Sequence, residues 1–245
     1  MSRAAIRWFD ELQSTSSTLI ADAATLPHGT VYAAHSQTAG RGQRGNSWEA
    51  AAGMNLSFSV LLRPRNIPAS QAFAISMVTA MSIADALQQA MGGREVRIKW
   101  PNDIYVDDLK LCGILIENSF SSGIDRSVVG IGINVNQTKF VSDAPNPVSM
   151  AQLTDSTYDI QSLLIDITDR ILADFDRYDS APDIASLTAR YRSRQWRGTG
   201  VYPWRDNICG EVVNAAIASI APDGMLTLAT DPPRTFAFKE ISAVL

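Results

Sequence analysis

The sequence predicts an α/β chain in which a large domain of helices and strands precedes a small all-β domain. Up to residue 196, stretches with apolar residues at helical spacing alternate with short apolar runs that are typical of strands. After Trp196 the segment Arg197-Gly198-Thr199-Gly200 interrupts the chain, and short strand patterns follow, separated by turns rich in Asn, Pro and Gly. Such a pattern favours a small barrel. We therefore predict domains at residues 1–196 and 197–245.

Composition excludes several classes of protein. The chain has 245 residues, of which 46% are hydrophobic and 19% charged, so it is neither disordered, collagen-like nor a coiled coil. Its net charge of −4 argues against an overall electrostatic attraction to nucleic acid. Cys112 and Cys209 are too few for a disulfide scaffold, and the N-terminus shows no secretory pattern. We expect two free thiols and a cytoplasmic protein.

Local patterns predict the elements of the first domain. Ser14 to Ala24 is predicted to form a short, side-chain-capped helix. Residues 66–84 lack charge over the length of a membrane span, but polar residues interrupt them and the apolar ones recur at helical spacing. We therefore predict a packed amphipathic helix from about Pro68 to Met91. The remaining predicted strands are 31–34, 56–62, 96–100, 104–106, 111–117 and 127–136, and the remaining helices are 161–178 and 181–194.

A basic, glycine-rich loop is the most informative local feature. It reads Gly40-Arg41-Gly42-Gln43-Arg44-Gly45-Asn46-Ser47-Trp48. Glycines allow the backbone to approach a ligand closely, arginines donate charge-assisted hydrogen bonds, and a Trp offers a flat face to a purine. The loop suits a nucleotide, although a surface loop that ends in a core Trp would show the same residues. It is neither a Rossmann fingerprint, since no helix follows, nor a Walker A loop.

Three further motifs are weak when each is taken alone. Lys99-Trp100-Pro101-Asn102-Asp103 is also ordinary turn chemistry. In the strand 110–117, Lys110 begins an apolar run and Gly113 follows, yet lysines at strand starts are usually solvated. In the strand 130–136, glycines alternate with apolar residues and so free one face of a strand.

In their order and intervals, the four motifs resemble those of the biotin protein ligases. The resemblance covers about Ser14 to Asn136 and resumes at Phe238-Lys239-Glu240-Ile241, which looks like that family's small C-terminal domain. It implies a mixed-sheet catalytic domain of the biotin/lipoate ligase type and an SH3-like C-terminal barrel. Some members carry an N-terminal helix-turn-helix domain. Because the matching segment begins so near Met1, we expect the monofunctional type that lacks it.

The resemblance implies an ATP-dependent ligase that acts in two steps. Biotin is activated to biotinyl-5′-AMP, and biotin is then transferred to a lysine of a biotin carboxyl carrier domain. Mg²⁺ is expected to accompany ATP, and no protein residue is assigned as a direct metal ligand. The expected partner is the carrier domain of a biotin-dependent carboxylase such as acetyl-CoA carboxylase, with no DNA and no membrane. A homodimer stays open, because one sequence identifies no free sheet edge.

The resemblance also assigns site residues. The catalytic residues are Arg41, Lys110 and Asp103, the last acting on a metal or on the acceptor lysine. The biotin-binding residues are Ser14, Thr15, Ser16, Gln37, Gly40, Arg41, Lys110 and Gly113. The residues for ATP or the adenylate are Arg41, Gly42, Gln43, Arg44, Trp48, Asn102, Asp103, Lys110 and Asn134, and Gly132 lines the pocket.

The sequence departs from the commonest family pattern at three positions. Gln43 and Asn46 stand where many members have arginine, and Ser16 stands where many have asparagine. The hypothesis that follows is weaker retention of the adenylate, unless Arg44 supplies the missing charge.

Two other functions are compatible with these residues. The nearest enzymatic alternative is a lipoate or octanoate ligase or transferase of the related family, and a non-catalytic biotin sensor is a second alternative. The five arginines between residues 190 and 205 either form a solvated helix end or face an acidic acceptor or nucleic acid; they are Arg190, Arg192, Arg194, Arg197 and Arg205. With His28 and His35 as the only histidines, a zinc enzyme and a Ser-His-Asp hydrolase are disfavoured.

Overall fold

A computed structural model of the chain describes residues 4–42, 47–142 and 145–244. Its centre is a seven-stranded mixed sheet in the order β1-β2-β3-β7-β6-β5-β4. The strands are β1 (Ala5–Leu12), β2 (Thr30–Gln37), β3 (Leu56–Leu62), β4 (Arg97–Lys99), β5 (Asp103–Val106), β6 (Leu109–Phe120) and β7 (Ile124–Ile133). Only the β1–β2 pair is parallel, and the other neighbours run antiparallel. The predicted α/β class with a mixed sheet is confirmed.

Five α-helices surround this sheet in the described residues. They are α1 (Thr15–Asp22), α2 (Phe73–Ala90), α3 (Met150–Thr154), α4 (Ile160–Ser180) and α5 (Ile184–Ser193). The side chains of Ser14, Asp159 and Asp183 cap α1, α4 and α5 by accepting a backbone N–H of the first turn. Four of these helices follow the predicted ranges closely. Two elements were not predicted: β1, whose exposed and charged residues hide its strand pattern, and the five-residue α3.

One face of the sheet packs against a layer made by α2 and α4. The side chains of Phe58, Val60, Val129 and Ile131 lie in a hydrophobic core that they share with both helices. The predicted amphipathic character of α2 is wrong, because its buried residues occupy nearly all sides of the helix. A helix between a sheet and other helices has no solvent face to keep polar. It is long and apolar enough to cross a membrane, yet most of it is buried within the protein.

The opposite face of the sheet carries small residues at its middle. The register aligns Ser57, Gly132 and Gly113 in one row across three strands, and Ser59, Gly130 and Leu115 in the next. Side chains of one strand alternate between faces, so these two rows project on the same side. Helix α1 covers one end of this face, where Leu19 and Ala23 contact residues of three strands. The remaining part stays open and forms the floor of a cavity.

The C-terminal part is all-β, as predicted. Its strands are β8 (Tyr202–Asp206), β9 (Val212–Ala215), β10 (Ile217–Ile220), β11 (Leu226–Leu228), β12 (Arg234–Phe236) and β13 (Ile241–Ala243). They form two antiparallel sheets of three strands, β10-β11-β12 and β13-β8-β9. No strand pairing joins the two sheets among the described residues, so the predicted barrel is present as two sheets and not as a closed barrel. Each sheet has three short strands, and no pairing among the described residues joins the edge of one sheet to the edge of the other.

The C-terminal sheets are anchored to the first part of the chain. The Trp100 indole donates to the carbonyl of Gly224 at 2.9 Å, and its ring packs edge-on against Phe238. Arg192 donates to the carbonyls of Gly198 and Ile217. Buried residues of both parts belong to one continuous core. The division at residue 197 into two domains stays a prediction.

Contacts within the chain occupy three of the five arginines between residues 190 and 205. Besides Arg192, Arg194 pairs with Asp85 at 2.8 Å. Arg197 donates to the carbonyl of Val244 and lies over the Trp196 ring. These three side chains therefore hold the fold together, and a docking role is left to the other two as a hypothesis.

Replacing Asp179 by alanine is expected to destabilise the fold. The buried carboxylate at the end of α4 accepts the backbone N–H groups of Arg65 and Asn66 at 3.0–3.1 Å. Asp179→Ala leaves both donors without this partner, at a cost of about 2 kcal/mol in the free energy of unfolding. Urea denaturation measures the loss. The control is Asp166→Asn on the exposed side of the same helix, which is expected to leave the midpoint unchanged.

Candidate functional site

A cavity of about 760 Å³ lies over the small-residue face of the sheet. Its sides are closed by the start of α1, by Arg41, Gly42, Ser47 and Trp48, by Phe140, Ser142 and residues 145–147, and by the C-terminal turn at Phe238 and Lys239. Its volume falls in the usual range for sites that take a small molecule. The predicted site residues that line it are Ser14, Thr15, Ser16, Gln37, Arg41, Gly42, Trp48, Asp103, Lys110, Gly113, Gly132 and Asn134.

Buried hydroxyl groups form one wall of the cavity. The hydroxyls of Thr15 and Ser16 both lie within hydrogen-bond distance of the Ser59 hydroxyl, at 2.8 and 3.0 Å. The backbone N–H of Thr15 donates to the Gln37 side chain at 2.8 Å. A Cβ atom at Gly130 would lie only 2.2 Å from the Ser16 hydroxyl, so this close approach requires glycine. The wall can both donate and accept hydrogen bonds.

The Trp48 ring lies flat on the sheet where β6 and β7 carry glycine. A Cβ atom at Gly132 would lie 2.3 Å from the ring, and one at Gly113 would lie 2.9 Å from it. The indole N–H is buried without a partner among the described residues. Gly40 does not line the cavity, but a Cβ there would meet the Trp48 carbonyl at 2.7 Å. The glycines of three separate motifs thus make room for one tryptophan.

A lysine and an aspartate form an ion pair on the cavity wall. The Lys110 ammonium contacts the Asp103 carboxylate at 2.7 Å, and both side chains are about three-tenths exposed. The backbone of Lys110 is fixed on both sides, since its N–H donates to Asn146 and its carbonyl accepts from Val148. The sequence motifs that contain these two residues therefore meet at one point. A cation beside a carboxylate there can bind an anion and exchange a proton.

Arg41 is paired with a residue that the sequence analysis did not single out. Its guanidinium donates to both carboxylate oxygens of Glu117, at 2.9 and 3.1 Å, and to the Ser17 hydroxyl at 3.2 Å. Glu117 follows Gly113 and Leu115 on the same face of β6. The catalytic role of Arg41 stays a prediction, since both terminal nitrogen atoms of its guanidinium already donate to Glu117.

Two residues that were predicted to bind the nucleotide make hydrogen bonds within the protein. Asn102 is buried and does not line the cavity, and its side chain donates to the Ser76 hydroxyl of α2 at 3.0 Å. Asn134 lines the cavity but donates to the carbonyl of Val148 at 3.1 Å. Their roles in binding stay predictions. Gln43, Arg44 and Asn46, with the hypothesis of weak adenylate retention, lie outside the described residues.

Glu49 fixes the backbone at Ser142, a residue of the cavity wall. Its carboxylate accepts the backbone N–H groups of Val141 and Ser142 and the side chain of Gln137, at 2.8–3.1 Å. Burial acts to raise the pKa of Glu49, but these hydrogen bonds outweigh it and the pKa is lowered. In the sequence, only the position of Glu49 directly after Trp48 indicated that it belongs to the site.

Lys99 lies beside the Lys110–Asp103 pair, in a setting that the sequence does not reveal. Its ammonium donates to the Tyr105 hydroxyl at 3.1 Å and lies 5.4 Å from the centre of the Trp196 ring. Burial lowers the pKa of Lys99, and the nearby charge of Lys110 adds to that, whereas Asp103 opposes it. Aromatic contacts across 97 positions of the chain cannot be read from a strand pattern.

Gly132→Ala is expected to displace Trp48 from the sheet. The added methyl group overlaps the ring, and the Trp48 side chain has to move because β7 is paired with a strand on each side. Tryptophan emission then shifts to longer wavelength, and the shift is absent when the same change is made in Trp48→Phe. Gly123→Ala is the matched control, because a Cβ there meets nothing within 4 Å. An unchanged emission spectrum in Gly132→Ala would contradict this geometry.

Known proteins share both the sequence and the fold of this chain. It is 37% identical over 158 residues to the biotin–[acetyl-CoA-carboxylase] ligase of Paracoccus denitrificans, covering 61% of this chain and 65% of that protein. It is 38% identical over 125 residues to the bifunctional ligase/repressor BirA of Escherichia coli, covering 51% and 38%. The structure of the biotin protein ligase from Aquifex aeolicus in complex with biotin and ATP superposes with a TM-score of 0.80, at 23% identity, over 97% of both chains.

These likenesses differ in what they cover. The sequence matches span less than two thirds of the length of either relative. The structural likeness, at its low identity, establishes the fold. The profile of one family, described as the biotin/lipoate A/B protein ligase family, matches residues 9–134, just over half of the chain. That stretch contains three of the motifs, the fourth as far as Asn134, and most of the residues that line the cavity. The chain belongs to the biotin/lipoate A/B protein ligase family.

Proposed function

We propose that the chain is a biotin protein ligase, which activates biotin with ATP to biotinyl-5′-AMP and transfers it to a lysine of a biotin carboxyl carrier domain. The observation that carries the proposal is one cavity with two chemically different ends. A wall of neutral hydroxyls and an amide lies at one end, and the Lys110–Asp103 pair with the Trp48 ring lies at the other. The names of the relatives in the family support the same substrates.

The neutral wall suits the ring system of biotin. A ureido group offers two N–H donors and one carbonyl acceptor, and Thr15, Ser16 and Gln37 present both kinds of partner. No charged group is needed there, which favours an uncharged ring over a phosphate. With the ring at this wall, the side chain of biotin extends along the sheet and its carboxylate faces Lys110.

Activation requires two anions to meet. The carboxylate is ionised at neutral pH and attacks the α-phosphate of ATP without a general base. A bond forms from the carboxylate oxygen to phosphorus, the bond to the β-phosphate oxygen breaks, and pyrophosphate leaves. Lys110 offsets the charge that both reactants bring, and it therefore acts by positioning and electrostatic stabilisation. Trp48 offers its ring to the adenine base.

The described residues fit a magnesium ion that arrives with the nucleotide. They hold no cluster of three or more His, Cys, Asp or Glu side chains. Mg²⁺ in nucleotide sites is held largely by phosphate oxygens and by one or two carboxylates, and Asp103 is a carboxylate on the cavity wall. When bound, the ion would neutralise phosphate charge.

The transfer of biotin to the carrier domain brings an amine to the Lys110–Asp103 pair. The ε-amine of the acceptor lysine attacks the acyl carbon of the adenylate, a C–N bond forms, the C–O bond to AMP breaks, and the amine loses a proton. Asp103 lies where it can orient that amine and accept the proton. Arg41, Trp48 and Ser142, whose backbone N–H is held by Glu49, line the cavity, where they would limit access of water to the reactive anhydride.

ATP–pyrophosphate exchange tests the activation step. With purified protein and Mg²⁺, exchange is expected with biotin and not with lipoate or without an acid. Exchange that depends on lipoate would place the chain with the lipoate enzymes of its family. Biotin binding by calorimetry without any exchange would mean a sensor, and the proposed activity would be wrong.

Lys110→Met and Asp103→Asn are expected to separate the two steps. Loss of the lysine charge lowers the exchange rate by about 10²–10³, the usual cost of one electrostatic stabiliser. Asp103→Asn slows transfer from preformed adenylate by about 10²-fold, a usual contribution of one general base. Single-turnover transfer to a carrier domain gives the second rate. The control is Asp107→Asn in the exposed β5–β6 turn, and an undiminished transfer rate in Asp103→Asn rules out that role for Asp103.

A further inference from the structure

Two lysines flank β5 on the face of the sheet that carries the cavity. The strand register places Lys99 of β4 directly opposite Asp103 of β5, and Lys110 of β6 opposite Tyr105 of β5. Side chains that are opposite each other, or two positions apart on one strand, project on the same side of a sheet. These four side chains therefore form one cluster, although only Asp103 and Lys110 line the cavity.

The contacts within this cluster run along its two diagonals. The Lys110 ammonium pairs with the Asp103 carboxylate at 2.7 Å. The Lys99 ammonium donates to the Tyr105 hydroxyl at 3.1 Å. The cluster thus contains two ammonium groups and a single carboxylate, and the carboxylate is bound to the lysine that lines the cavity.

The surroundings of Lys99 hold its ammonium group in place without neutralising it. The ammonium lies 4.8 Å from the centre of the Tyr105 ring and 5.4 Å from that of the Trp196 ring. The other charged side chains near it, Asp108 and Arg197, lie 3.8 Å from each other. In the part of the chain that the structure describes, Lys99 forms no ion pair within 4 Å. A half-buried ammonium group with no carboxylate partner is costly, and the fold alone does not explain it.

The proposed reaction requires Lys110 to turn away from Asp103. The biotin carboxylate and the α-phosphate of ATP both bring negative charge to the Lys110 ammonium. While Lys110 contacts either of them, Asp103 is left as a half-buried carboxylate without a cation and beside anionic ligands. Such a carboxylate costs free energy unless another cation neutralises it. Lys99, directly opposite on β4, is placed to do so.

We propose that Lys99 is a positioning residue that binds Asp103 while Lys110 binds the ligand. The inference rests on the proposed function and extends it to a lysine that does not line the cavity. Directly opposite side chains have Cβ atoms about 5 Å apart, a distance that a lysine side chain spans. An ammonium group has three N–H donors, so Lys99 can keep its hydrogen bond to Tyr105 as well. The exchange of partners therefore needs no movement of the backbone.

Lys99→Met tests the inference through the binding of the biotin carboxylate. Methionine keeps an apolar stem against Tyr105 and Trp196, so the variant is expected to fold with a nearly unchanged melting temperature. By calorimetry, its dissociation constant for biotin is expected to rise about tenfold, because Lys110 then leaves an unpaired carboxylate behind. The dissociation constant for biotin methyl ester, which brings no charge to Lys110, is expected to stay unchanged.

The same substitution in Asp103→Asn shows whether Lys99 acts through the carboxylate. With no carboxylate to neutralise, Lys99→Met is expected to change biotin affinity by less than about twofold in this background. A loss of the same size in both backgrounds would overturn the inference, and so would an equal loss for the methyl ester. Lys99→Arg keeps the charge and is expected to bind biotin within about threefold of the parent.

Two further variants separate this role from the contacts that Lys99 makes without a ligand. Tyr105→Phe removes the hydroxyl that accepts from Lys99, and biotin affinity is expected not to fall. A loss as large as that in Lys99→Met would mean that the lysine serves only the tyrosine, and the inference would be wrong. Lys139→Met is the matched control, because it removes an exposed lysine and is expected to leave biotin affinity unchanged.

Calorimetry keeps this inference distinct from the proposed function. Parent protein that binds biotin without biotin-dependent exchange would refute the ligase, and a loss confined to the charged ligand in Lys99→Met would still support the exchange of partners. Exchange in the parent with unaltered biotin affinity in Lys99→Met would leave the ligase standing and remove Lys99 from its site. A parent that binds neither biotin nor its ester would overturn both.

Discussion

The site depends on the small residues that occupy the middle of one face of the sheet. Glycine at 113, 130 and 132, with serine at 57 and 59, leaves a shallow trough on a surface that would otherwise pack like the opposite one. The far face, filled by Phe58, Val60 and Ile131, provides the core that keeps this trough flat. Alternate residues of the same strands therefore serve different purposes: those on one face form the core, and those on the other face form the floor of the cavity.

Much of this arrangement follows from the sequence, because strand alternation and turn chemistry are local. The strand carrying Gly130 and Gly132 and the capped start of α1 were both predictable from the residues, and the resemblance grouped their motifs into one site. The partners of Arg41 and Lys99 were not predictable, since Glu117 and Trp196 lie far along the chain and become neighbours only through the order of strands. The periodicity of α2 had indicated one exposed side, but the helix is buried on nearly all sides between the sheet and other helices.

The two parts of the chain meet through Trp100, which links the turn bearing Asp103 to the C-terminal sheets. Trp100 has two structural roles, one for its ring and one for its backbone. Its ring is a packing group for Phe238, and its backbone sets where the following turn begins. Trp100 therefore ties the packing of the C-terminal sheets to the turn that precedes Asp103.

The bidentate pair between Arg41 and Glu117 has a consequence for selectivity among anions. Exchanging the Glu117 carboxylate for another carboxylate leaves the free energy of the Arg41 ion pair about the same. A free carboxylic acid therefore has no energetic advantage over Glu117. A ligand that presents a carboxylate-derived anhydride next to a phosphate offers more oxygen atoms to the same fork. In the proposed ligase, the resident glutamate would therefore favour the activated intermediate over the free acid as a partner of Arg41.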